Sequence, residues 1–213
     1  MIKAIILDVD DTIIDFSKIA SKLYQETALE LGLNKAPIKK ISRYFGTPHS
    51  KMLKEIWNYN NEKKFENIIF KKINRKKFKA FSGALKIIKL LHKKYTLALL
   101  SSKNKKIMNP QLKQINLSTS LFKFIYSKQD TRYNKPDPRV FSKPIKILKL
   151  KPQEILYVGD SIFDCKAAIK AKINFVAVLT GHYTRDEFKK YKIKNNNILK
   201  SLKQLPKWLE KNE

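Results

Sequence analysis

Two carboxylates two residues apart close a short apolar run: Asp8-Val9-Asp10-Asp11-Thr12 follows Ile5-Ile6-Leu7. The run reads as a buried strand, and the Asp-rich stretch behind it reads as a turn. Such a turn lets both carboxylates serve one site. In open α/β sheets, ligands bind outside the carboxyl ends of the strands, where this turn would lie. One carboxylate can then attack as a nucleophile while the other handles a proton. The plainer alternative is a turn or helix cap, because Asp side chains bond nearby backbone donors.

Three later segments favour chemistry. Thr96-Leu97-Ala98-Leu99-Leu100 reads as a second buried strand and ends in Ser101-Ser102. Lys135-Pro136-Asp137-Pro138 follows an apolar run at 121–126, read as another strand. Ile155-Leu156-Tyr157-Val158 runs into Gly159-Asp160-Ser161, with Asp164 four residues after Asp160. In this order the four segments resemble the motifs of the haloacid dehalogenase superfamily of phosphohydrolases, from Ile2 to about Gly181. The nearest branch in character is that of the phosphoglycolate phosphatases.

The resemblance implies a role for each residue. Asp8 would attack phosphorus and form an aspartyl-phosphate. Asp10 would protonate the leaving alkoxide and later deprotonate the hydrolytic water. Thr12 would fix the turn and orient Asp10. Ser101, with Ser102 beside it, would bind the phosphoryl group or substrate, and Lys135 would neutralise charge on it. Asp160, Asp8 and the backbone carbonyl of Asp10 would hold Mg²⁺, with Asp164 as an outer carboxylate or a ligand through water. Magnesium is expected because these ligands are hard oxygens. Arg43-Tyr44-Phe45-Gly46-Thr47-Pro48-His49 resembles the loop that reaches the substrate, with Arg43, Gly46 and His49 as candidate contacts. The acid at position 10 argues against a dehalogenase, whose leaving halide needs no proton. A phosphomutase, which passes the phosphoryl group to a sugar hydroxyl, uses the same residues and stays open.

The elements that must position these residues follow from hydrophobic period. From 83 onward, helix and strand patterns alternate, which indicates a parallel sheet. Between 16 and 81 there is no strand alternation. Ile19, Leu23 and Leu31 form a stripe that stops at Gly32. Helices are expected over 38–45 and over 48–57, the latter capped by Thr47, and Phe65, Ile68, Ile69 and Ile73 line a third face. The expected fold is therefore α/β, a Rossmann-like parallel sheet core (1–15 and 82–213) with an inserted all-helical cap (16–81). Two departures from the family pattern stand out. Pro144 lies inside an expected helix at 139–150, where it should break or delay it. Lys172 occupies a helix end that favours a left-handed residue, usually glycine.

Composition bounds the partners. A chain of 213 residues, 43% hydrophobic, can bury a sizeable core. No apolar run approaches the roughly 20 residues of a membrane span, and the N-terminus enters a core strand at once, so a cytoplasmic, reducing setting is expected. The lone Cys165 is expected to be a small buried residue. The net charge of +28 raises the alternative of a basic nucleic-acid-binding protein. Its 41 lysines and five arginines are spread along the chain, without the arginine–aromatic interleaving of nucleic-acid sites. They read as solvated surface that attracts anions, and a small phosphorylated metabolite is the expected partner. His49, His92 and His182 show no metal-ligand spacing.

Overall fold

The computed structural model describes residues 1–212. Six strands form one sheet: β1 (Ala4–Leu7), β2 (Thr96–Leu100), β3 (Ile125–Tyr126), β4 (Ile155–Gly159), β5 (Asn174–Val178) and β6 (Ile198–Leu199). Their order is β3-β2-β1-β4-β5-β6, and every pairing is parallel. β1 thus sits centrally, with Leu7 opposite both Leu99 and Val158. The strand order reverses around β1, which makes its carboxyl end a topological switch point.

Period-two alternation sorts the strand residues onto two packed faces. Ile5, Leu7, Leu97, Leu99, Leu156, Val158, Val176 and Val178 face one apolar cluster. Ile6, Ala98, Leu100, Tyr157, Phe175 and Ala177 face the other. Because both faces are covered, the central strands read as continuous apolar runs. Burying each Val, Leu, Ile or Phe among them contributes about 1.5–3 kcal/mol.

Between β1 and β2 lie five helices: α1 (Ser17–Glu30), α2 (Ile38–Ser42), α3 (His49–Trp57), α4 (Glu62–Arg75) and α5 (Ala84–His92). The first four occupy the segment expected to be all-helical. Their apolar residues, among them Leu23, Tyr24, Leu53, Phe65 and Ile69, close a common interior. The two connections to this segment run side by side. The Asp15 N–H donates to Lys79 O at 3.0 Å, and the Phe81 N–H to Ile13 O at 2.8 Å.

After β2 come α6 (Lys105–Gln114), α7 (Ser142–Leu148), α8 (Ile162–Lys170), α9 (Arg185–Lys189) and α10 (Leu205–Asn212). The helix expected over 139–150 begins late. A 3₁₀ turn, Pro138–Phe141, precedes α7, and Pro144 falls in its first turn. There its missing N–H has no intrahelical acceptor to lose. Lys172 adopts φ 60°, so a lysine takes the left-handed position. Cys165 is fully buried.

Three expectations need correction. The strand expected over 121–126 shrinks to Ile125–Tyr126, because Thr119–Leu121 forms a 3₁₀ turn. The helix over 38–45 ends at Ser42. Thr47 does not cap α3; Pro48 holds that position, and the Thr47 hydroxyl donates to Tyr44 O at 2.6 Å. Strands β5 and β6 extend the sheet beyond the sequence expectation, and Ile198–Leu199 is too short to show a period.

Candidate active site

The turn behind β1 is built by backbone geometry. Asp11 adopts φ 53°, a conformation that Asp tolerates better than most residues. The N–H groups of Ile13 and Ile14 both donate to Val9 O, at 2.9 and 3.0 Å. The Asp11 carboxylate accepts from the N–H groups of Phe16 and Ser17 at 3.1 and 2.9 Å, and from the Ser17 hydroxyl. Asp11 therefore starts α1, which is the plainer role weighed for this motif. That leaves Asp8 and Asp10 for other work. Thr12 differs from expectation: its hydroxyl is buried without a hydrogen-bond partner and does not reach Asp10. The backbone bonds and Asp11 hold the turn in its place.

Asp8 is buried at the tip of β1 and meets Lys135. The Lys135 ammonium donates to Asp8 Oδ1 at 2.7 Å, to Asp164 Oδ1 at 2.6 Å and to the Tyr157 hydroxyl at 2.9 Å. The Tyr157 hydroxyl donates in turn to Asp164 Oδ1 at 2.7 Å. Burial alone would lower the Lys135 pKa, but Asp164 and Asp8 outweigh it and raise it. Desolvation pushes Asp8 up to about 7, against the pull of Lys135 and with Asp164 adding to the rise. The ammonium is thus fixed as a cation, and it is what keeps Asp8 available in its ionised form.

Asp10 has a different cation. Its carboxylate pairs with the ammonium of Lys103, which also bonds Gln111 Oε1 and lies 3.7 Å from the centroid of the Phe16 ring. Desolvation raises the Asp10 pKa, with Lys103 opposing. Desolvation lowers that of Lys103, with Asp10 opposing. A carboxyl held above its ordinary value is suited to carry a proton into a reaction.

Asp164 stands in the first turn of α8. It completes a capping box with Ser161, whose N–H and hydroxyl reach Asp164 Oδ2 at 3.1 and 2.5 Å. Both its oxygens are engaged, one by Ser161 and one by Lys135 and Tyr157. Asp160 is buried and makes no ion pair among the described residues. Desolvation raises it well above the ordinary carboxylate range, with Asp11, Asp164 and Asp8 adding to the rise. Asp8, Asp160 and Asp164 offer oxygens within 4.8 Å of one another. Two glycines make room for this cluster. A Cβ at Gly181 would overlap the Asp160 carboxylate, and one at Gly159 would overlap that of Asp164. Buried, mutually repelling carboxylates with a single shared ammonium form an oxygen donor set that fits a hard divalent cation.

Ser101 lies at the tip of β2, next to β1, and is buried. Its N–H donates to Tyr126 O at 2.9 Å, and its Oγ accepts from the Lys103 N–H at 3.1 Å. Ser102 follows it, half-buried. The structure thus brings Asp8, Asp160, Asp164 and Lys135 into one cluster, with Asp10 and Ser101 linked to it through Lys103 and the adjoining strand tips.

The three loop residues go elsewhere. Arg43 pairs with Glu187 of α9 at 2.9 Å. Gly46, at φ 91°, lies against the Phe163 ring of α8. His49 sits between the Tyr24 and Phe65 rings, with Nδ1 3.3 Å from Glu66 Oε1. Burial pushes His49 down to about 4, with Lys128 adding to the shift. The loop therefore packs on the helices that follow β4 and β5, while none of the three touches the Asp8 cluster. Lys103, Tyr157 and Gly181 are the site residues that sequence reasoning did not assign roles.

The chain is similar to known proteins over most of its length. A family model described as haloacid dehalogenase-like hydrolase matches residues 5–178. The chain belongs to the haloacid dehalogenase-like hydrolases. It is 25% identical over 186 residues to a phosphoglycolate phosphatase of Aquifex aeolicus, covering 84% of this chain and 86% of that one. It is 24% identical over 173 residues to the pyrophosphatase PpaX of Anoxybacillus flavithermus, covering 78% of each. A haloacid dehalogenase-like family hydrolase from Streptococcus pneumoniae superposes with a TM-score of 0.83 at 20% identity, over 98% of each chain, which shows the shared fold. No helix among the described residues is long and apolar enough to cross a membrane.

Proposed function

We propose that this hydrolase is a Mg²⁺-dependent phosphatase that cleaves small phosphomonoesters through an aspartyl-phosphate. The observation that carries the reading is the division of labour between two carboxylates on one turn. Asp8 is sealed against Lys135 in a buried site, while Asp10 pairs with a cation of its own, Lys103, and keeps a side open to solvent.

In this reading Asp8 Oδ attacks phosphorus in line, and the ester oxygen leaves with the proton of Asp10. Water then attacks phosphorus, Asp10 takes its proton, and Asp8 is released. Lys135 draws charge from the phosphoryl oxygens, and Ser101 donates a hydrogen bond to them. Asp8 and Asp160 would hold Mg²⁺, together with the backbone carbonyl of Asp10; the ion neutralises phosphoryl charge when bound. Asp164 keeps Lys135 in place. The helices of segment 16–81 act as a cap, with Arg43 strapped to Glu187 of α9. Asp10 favours an ester over an anhydride, because an alkoxide needs a proton to leave and a phosphate far less so.

The test is phosphate release from a panel of phosphorylated small molecules and inorganic pyrophosphate, with Mg²⁺ and with chelator. Mg²⁺-dependent turnover of one or more monoesters, faster than of pyrophosphate, is expected. No Mg²⁺-dependent release from any of them would overturn the reading. Oligonucleotide binding, the rival suggested by the charge, is expected to be sequence-blind and lost at moderate salt.

A further inference from the structure

Lys103 is the one buried lysine besides Lys135 among the described residues. A buried ammonium is costly unless every donor is used. Lys103 is ion-paired with Asp10, donates to Gln111 of α6, and sets its charge on the face of Phe16. Each partner belongs to a different part of the molecule. Asp10 is on the turn behind β1, Gln111 is on the helix behind β2, and Phe16 is the residue from which α1 enters the helical segment. Phe16 also stacks on Phe78, on the returning connection, with ring centroids 5.3 Å apart, and packs on Phe45 at 5.7 Å. The backbone of Lys103 is equally fixed: its N–H donates to Ser101 Oγ at 3.1 Å, and its carbonyl accepts from the Lys128 N–H at 3.0 Å.

We infer that Lys103 is the positioning residue for Asp10, holding that carboxyl on the line to the leaving oxygen. Its seat on Phe16 makes this alignment depend on how the helical segment is packed at its entry. The inference rests on the phosphatase reading and deepens it. Lys103 touches no reacting atom in this account. It acts by fixing the group that does, and a displacement of about 1 Å at a reacting group can cost on the order of a hundredfold in rate.

The test compares wild type, Lys103→Met and Lys103→Arg across phosphate esters of graded leaving ability, from 4-nitrophenyl to simple alkyl. A misplaced acid matters little when the leaving group departs unaided. Lys103→Met is expected to lower kcat/KM, which reports formation of the aspartyl-phosphate, for alkyl esters by roughly ten- to a hundredfold more than for 4-nitrophenyl phosphate. It is also expected to lower kcat, which also contains the base-assisted hydrolysis common to all esters, without raising KM. Lys103→Arg is expected to restore part of the alkyl rate. An equal loss of kcat/KM across the series would assign Lys103 a structural role and overturn the inference. A rise in KM with kcat intact would make Lys103 a substrate contact and also overturn it. If Lys103→Met does not fold, Gln111→Leu frees the ammonium from its second anchor while keeping the charge. The same selective loss, in smaller measure, is expected there, and its absence would overturn the inference. A wild-type enzyme inactive on every ester would instead defeat the phosphatase reading before Lys103 is changed.

Discussion

Asp8–Lys135 and Asp10–Lys103 are two ion pairs two residues apart on one turn, and they are built in opposite ways. The first is sealed: the Lys135 and Asp8 side chains are 5% and 7% exposed, and the ammonium is shared with Asp164 and the Tyr157 hydroxyl. The second is open on its acid side, with Asp10 25% exposed. Its cation answers to one carboxylate, a neutral amide and an aromatic ring. Lys135 is consequently raised and Lys103 lowered in proton affinity. A nucleophile must be ionised and still, so a sealed contact with an ammonium that opposes the desolvation lifting Asp8 suits it. A proton carrier must change state, so a weaker grip and access to solvent suit Asp10. The contrast teaches that the number of charges around each lysine, more than proximity alone, divides the labour.

The largest effect that would break this contrast is the loss of Lys135. In Lys135→Met, Asp8 and Asp164 face each other with no shared cation, and desolvation carries Asp8 further above 7. Activity at neutral pH is expected to fall to background. Removing one partner of a buried pair typically costs about 3–5 kcal/mol, so urea unfolding should show a clear loss of stability. Unchanged turnover at pH 7 would show that Asp8 does not depend on this ammonium.

Asp10→Asn comes next. It leaves the nucleophile and its pair intact and removes only the proton carrier. General acid–base help is worth ~10²–10⁴-fold, so kcat/KM for alkyl esters, which reports formation of the aspartyl-phosphate, should drop by that order, and kcat/KM for aryl phosphate less. Steady-state kinetics on both ester classes would check it; equal losses would mean that the two carboxylates do not divide the work.

The smallest effect concerns metal and pH. Asp8 and Asp11 are raised to about 7 and about 6, and Asp160 is raised as well. The stability these groups contribute is full below about pH 4 and is lost as pH rises through 7. Metal binding needs the deprotonated carboxylates. The rise in Tm on adding Mg²⁺ should therefore be larger at pH 8 than at pH 5. His49 and His182, both lowered to about 4, have the opposite sign: their contribution is full above about pH 6.5 and falls as pH drops to 4. Comparing Tm with and without Mg²⁺ at each pH cancels much of that background. A Mg²⁺ increment that shrinks from pH 5 to 8 would contradict the assignment of these carboxylates.

The strand tips were legible because they are local. Apolar runs of four or five residues end in Asp8, Ser101 and Asp160, and a parallel sheet brings such ends together without further information. What stayed hidden depends on distant neighbours. Lys103 is one of 41 lysines, and its meaning arises only when β2 pairs with β1 and sets it across from Asp10. Tyr157 lies in a strand buried on both faces, where no polar position advertises which way a hydroxyl points. Thr12 was misjudged for the converse reason. A hydroxyl in an Asp-rich turn usually finds a partner, but here Asp11 takes the capping role. Arg43, Gly46 and His49 are read from the sequence as candidate substrate contacts, and only the fold shows their neighbours: Glu187, Phe163 and the Tyr24 and Phe65 rings.

The most direct measurement is to look for phosphate on Asp8. Wild type, Asp10→Asn and Asp8→Asn would each be mixed with 4-nitrophenyl phosphate and Mg²⁺, quenched in acid and mapped by peptide mass. The account predicts a phosphoryl group on the peptide carrying residue 8 in wild type. It predicts more in Asp10→Asn, where hydrolysis of the intermediate lacks its base, and none in Asp8→Asn, which should stay folded and inactive. Full activity in purified Asp8→Asn, or a phosphoryl group trapped on any other residue, would contradict it.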